Sequence, residues 1–181
     1  MENLLEDLKQ WKMPSNCTLY HVSTRELKHP DPNFISTPHE GGRGFNLFCD
    51  VKDAILFGKR TGRDMLNQYQ FHGQWLMEAW LNEADAVSLT NMFLIADDDY
   101  ADEMRWDPER PYLADLRNCD YICGIMLTKA LSGLKDKWNA CEMPIEKCAD
   151  LAKELPLTYI ITLKTSDAFD QLEFEKCEKI H

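Results

Sequence analysis

His21 and Ser23 lie two residues apart in Thr18-Leu19-Tyr20-His21-Val22-Ser23, a short apolar run that reads as a strand. Strand alternation turns both side chains to the same face, where an imidazole and a hydroxyl can share a proton. A hydrolytic triad would ask for the Gly-x-Ser-x-Gly turn that exposes a nucleophilic serine, and the chain lacks it. Further on, Gly41-Gly42-Arg43-Gly44 leads into Phe45-Asn46-Leu47-Phe48. Those glycines do not have the G-x-G-x-x-G spacing of a dinucleotide loop, so they read as a turn before a strand. His29 and His39 flank prolines in the intervening loop, with no acidic or cysteine partner at metal-ligand spacing. The seven cysteines are scattered, without a C-x-x-C, so neither a zinc site nor a disulfide framework is expected. Reduced, buried thiols fit them better.

The elements that must position these groups follow from pattern. Residues 2–11 read as a helix, with Leu4, Leu5, Leu8 and Trp11 on one face, and Pro14 ends it. Cys17 to Val22 and Phe45 to Cys49 are strands, joined by a Pro-, His- and Gly-containing loop over Thr24–Arg43 that is longer than most connections in compact domains. Asp50 stands at an N-cap, with Asp53 three residues on as in a capping box, ahead of the helix face Ala54, Ile55 and Phe57. Met65 to Phe71 alternates like a strand. Trp75 to Val87 reads as a helix through Leu76, Trp80, Leu81 and Ala84. Asp120 to Met126 and Tyr159 to Leu163 are apolar strands. Leu127–Trp138, Pro144–Leu155 and Ser166–Phe174 read as helices, the last with Ala168, Phe169 and Leu172 inward. Strands and helices mix without a βαβ rhythm, so the expected class is α+β, a single domain over 1–181 with 1–16 as an N-terminal helical extension.

With 181 residues and 44% hydrophobic content, one core is expected. A net charge of −11 argues against a nucleic-acid backbone or an anionic membrane as partner, since both reward Lys/Arg surfaces. No apolar run approaches a membrane span, and MENLLEDLKQW has neither region of a secretory signal. A cytoplasmic protein is expected, a reading compatible with delivery into another cell by a route that uses no cleavable signal. The acidic stretch Asp97–Arg117 lacks the frame of a calcium loop and reads as a solvated face or a contact surface for a basic partner. Its charge is spread rather than blocked, which counts against mimicry of nucleic acid.

Three separated blocks resemble an uncharacterised, mostly bacterial family grouped with the ADP-ribosyltransferase superfamily. Leu19-Tyr20-His21-Val22-Ser23 is similar to a strand ending in Leu-Tyr-His-Gly-Ser. Gly42-Arg43-Gly44-Phe45-Asn46-Leu47, followed by Asp50, Ala54 and Phe57, resembles a Gly-x-Gly-Phe-Tyr-Leu strand leading into an Asp-capped helix. Asp120 to Gly124 looks like an Asp-Ile-Val-x-Gly strand, and Thr165, Ala168, Phe169 and Leu172 match a closing Thr-x-x-Ala-Leu-x-x-Leu helix. Order and offsets agree over about residues 18–174.

The resemblance implies a split β-sheet with flanking helices and a cleft for NAD as substrate, lined by His21, Val22, Ser23, Phe45 and Asn46. In such transferases the first-strand histidine bonds a ribose hydroxyl, a second-strand aromatic stacks on nicotinamide, and a late acid stabilises the oxocarbenium ion. The implied activity is transfer of ADP-ribose to a macromolecular acceptor. Here Val22 stands where the pattern has Gly, Asn46 where it has Tyr, and Tyr159–Thr162 supplies no late acid. Glu173 and Asp167 are two carboxylates toward that end of the chain, with no spacing that singles out either. Those departures set a second expectation beside the first: a degenerate member of the fold that binds or inhibits a protein through its acidic surface.

Overall fold

The computed structural model describes residues 17–31, 44–73, 76, 78–81, 84–96 and 119–181. The expected helix over 2–11, the 1–16 extension and the acidic stretch 97–117 lie outside the described residues, as does most of the loop that holds His39. The described strands are β1 (Cys17–Ser23), β2 (Phe45–Phe48), β3 (Met65–Phe71), β4 (Glu78–Leu81), β5 (Tyr121–Ile125), β6 (Tyr159–Leu163) and β7 (Leu172–Lys179). They form one sheet in the order β4-β5-β6-β2-β1-β3-β7. All neighbours are antiparallel except β4 and β5, which run parallel at one edge. The class is mixed α and β, as expected.

Alternation along the strands gives the sheet two faces. One carries Leu19, Leu47, Tyr69, Phe71, Tyr121 and Ile161, closed by Ala168 and Phe169 of helix α5 (Ser166–Asp170). The other carries Val22, Phe48, Leu66 and Ile160 beneath Ala54 of helix α1 (Val51–Thr61). Asp50 starts α1 by accepting from the Lys52 N–H at 2.6 Å, and Gly62 ends it with φ 70°, a left-handed value that suits glycine. The expected capping box is half made, because the Asp53 carboxylate is hydrogen-bonded by Thr158 instead. A second core joins α2 (Ala86–Ala96), α3 (Lys129–Asn139) and α4 (Ile145–Ala152) through Leu89, Phe93, Leu131 and Cys148. Its helical members are apolar at helical spacing, and they pack on one another and on Ile125 of β5 and Tyr159 of β6.

Two expectations fail. The helix expected over Trp75–Val87 is replaced by β4 at Glu78–Leu81, with α2 starting only at Ala86. Four residues, Glu78-Ala79-Trp80-Leu81, are too few for a period to separate helix from strand, and parallel pairing with β5 decides it. The helix expected over Ser166–Phe174 stops at Asp170, and Leu172 opens β7. Ala168, Phe169 and Leu172 stand at helical spacing, but α5 closes after little more than one turn, and Leu172 and Phe174 then alternate as a strand. Further along β7 the register with β3 slips between Gln68 and Tyr69, so Glu175 is extra, a β-bulge.

Candidate functional site

β1 is not held equally on its two sides. With β3 it pairs over seven residues, Cys17↔Phe71 to Ser23↔Met65. With β2 it shares one registered pair, Tyr20↔Phe48. Beyond that pair the two strands part, and the His21 side chain spans the gap, its Nδ1 2.9 Å from the Asn46 carbonyl oxygen. A carbonyl only accepts, so Nδ1 carries the proton, and in the neutral ring Nε2 holds the lone pair. The imidazole also lies against Phe45, ring centroids 4.4 Å apart and 30° between planes. Phe45 is wedged in turn between Tyr69 at 6.3 Å and Phe169 at 5.7 Å. The ring is therefore fixed in tautomer and tilt by the strand it faces and by the core behind it.

Directly across β3 from His21 stands Asn67, fully buried. Its amide oxygen accepts from the Leu27 N–H at 2.8 Å, and its Nδ2 donates to Ser23 Oγ at 2.9 Å, with longer contacts to the His21 and Arg25 carbonyls. Tyr69 adds a bond from its hydroxyl to the Leu27 carbonyl, and burial pushes that phenol's pKa up, keeping it a donor. Together they pin the turn after β1. Sequence reasoning missed Asn67: the alternation of Met65–Phe71 puts it on the Tyr69 and Phe71 face, away from Gln68 and Gln70, but only the register shows it opposite His21.

The five residues expected at the cleft divide between the faces. His21, Ser23 and Phe45 share one. Val22 lies on the other, 1% exposed beneath α1, so it offers the cleft only its backbone. Ser23 is spent on the turn, donating to the Arg25 carbonyl while accepting from Asn67. The Asn46 side chain also turns away, and its oxygen accepts from Thr162 Oγ1 at 2.7 Å across the β2–β6 register pair. Asn46 and Thr162, the last residue of the stretch in which no late acid stands, thus satisfy each other. Gly44 makes this closeness possible: a Cβ there would meet Thr162 Cγ2 and sit 2.6 Å from the Leu163 carbonyl oxygen.

Neither late carboxylate reaches the His21 face. Glu173 sits opposite Gln70, on the other face of β7, and pairs with His72 at 3.3 Å. Asp167 is exposed in the first turn of α5, turned away from the buried Ala168 and Phe169. The third sequence block does come together: Thr165 caps α5 and its hydroxyl donates to Asp120 at 2.6 Å. Burial lifts the Cys17 thiol to about 12 and raises Cys49 further, with Cys17 adding to the latter. These thiols stay protonated at neutral pH and pack rather than react.

Comparisons with protein-family models, with curated proteins and with solved structures find no match to this chain.

Proposed function

We propose that this chain is an ADP-ribosyltransferase-like domain that holds NAD against the His21 face of β1. The observation that carries the reading is the fixed imidazole at the β1–β2 seam, with Nδ1–H on the Asn46 carbonyl and Phe45 behind the ring. That tautomer presents Nε2 as an acceptor, the form suited to a ribose hydroxyl. A sheet whose halves meet on a single registered pair agrees with the split sheet the reading asks for. NAD would supply a nicotinamide–ribose bond whose cleavage leaves positive charge on the sugar. His21 would bind and orient the ribose, and Phe45 would give the ring an apolar backing.

The Asn46–Thr162 bond favours a second reading: the same fold used for binding or inhibition, without turnover. It engages Asn46, which stands where a stacking aromatic is expected, with Thr162 of the stretch that supplies no late acid, on the face away from His21. Titration of NAD into the protein, with nicotinamide release followed in parallel and H21A alongside, tests both. Binding weakened about tenfold in H21A, as loss of a hydrogen-bonded anchor predicts, supports the cleft. Release alongside binding marks a transferase or hydrolase, and binding without release marks the degenerate form. No binding at millimolar NAD overturns both NAD readings.

A further inference from the structure

The residue before His21 faces the other way. Tyr20 lies between Phe48 of β2 and Gln68 of β3, half-buried at the margin of the core beneath α1. Beyond α1 this face of the sheet is polar. The bulge in β7 turns the exposed Glu175 onto it, where the carboxylate accepts from Gln68 Nε2 at 2.5 Å and from Gln70 Nε2 at 3.0 Å. Gln70 Nε2 also donates to Thr18 Oγ1 at 2.8 Å. The glutamine amides thus hold Glu175 in place two strands away from Tyr20. On the opposite side Asp50 follows Phe48, the register partner of Tyr20, by two residues. Burial raises the pKa of the Tyr20 hydroxyl, and the negative charges of Asp50 and Glu175 raise it further. Lys176, whose charge opposes theirs at Tyr20, is held by Glu178 at 2.8 Å.

An aromatic ring between two fixed carboxylates stabilises a cation by two routes, the ring quadrupole and direct charge attraction. A chain of net charge −11 adds long-range attraction for the same sign. We propose that Tyr20, flanked by Asp50 and Glu175, seats an arginine or lysine side chain from a basic segment of a partner protein. The surface lies on the opposite face from His21 and does not depend on the NAD reading, so either can fail alone.

The test uses an arginine-containing hexapeptide and its citrulline counterpart, which keeps shape and removes charge. The arginine peptide should bind at low salt and the citrulline peptide should not. Y20A and E175Q should each weaken binding about three- to tenfold, the range of an exposed cation–aromatic or ion-pair contact, while Y20F retains it. E154Q removes the same charge from the exposed turn after α4 and should change affinity less than about twofold. Equal losses in E154Q and E175Q would mean that only net charge is read, and would overturn the proposal. So would a loss in Y20F equal to that in Y20A, or no binding of the arginine peptide. Far-UV circular dichroism of each variant confirms that the comparison is between folded proteins.

Discussion

β1 has a firm side and a loose one. Toward β3 it is zipped along its whole length and backed by the buried Asn67; toward β2 it is held by one backbone pair and one side-chain bond from His21. Continuous ladders satisfy backbone groups without help, whereas an interrupted ladder leaves a carbonyl that something else must reach. His21 is that something. Its structural task and its proposed ligand-binding task use different nitrogens, so the position that stabilises the seam can also face a cleft.

The largest expected effect strikes the firm side. Asn67→Ala removes the partner of the Leu27 N–H and of Ser23 Oγ inside the fold, and should cost about 3 kcal/mol in urea unfolding. If the loss is below about 0.5 kcal/mol, the turn is not pinned by this side chain and the contrast between the sides weakens. Next comes the strand on which the loose side rests. Gly44→Ala drives a methyl against Thr162 and the Leu163 carbonyl, and should cost about 2 kcal/mol through overpacking. Faster amide exchange in Phe45–Phe48 than in Met65–Phe71 would place that damage at the seam. The smallest effect belongs to the seam itself: His21→Leu keeps the apolar contact with Phe45, loses the bond to Asn46, and should cost about 1 kcal/mol. A cost as large as that of Asn67→Ala would show the two sides to be equally firm.

Much of this was legible in the chain. Cys17–Val22, Phe45–Cys49, Asp120–Met126 and Tyr159–Leu163 are apolar runs bounded by turn formers or caps, and each holds a strand. The alternation that puts His21 on the Leu19 face could be read directly. What could not be read depends on register. Asn46 and Thr162 are 116 residues apart in sequence, and only the β2–β6 pairing shows that they bond each other. Asn67 becomes central because it falls opposite His21. The edge strands β4 and β7 escaped notice because one is very short and the other carries a bulge that breaks its period.

That bulge has a consequence for how the protein lives at high concentration. β7 closes the sheet at one end, and a flat eight-residue edge would be a template for strands of other molecules. Glu175 kinks the ladder midway, and Lys176 and Lys179 put charge on both sides of Cys177 along the same strand. Any incoming strand would have to follow a bent line and bury ammonium groups to do so. The residue that sets the polar face beside Tyr20 therefore also discourages the sheet from growing into its neighbours.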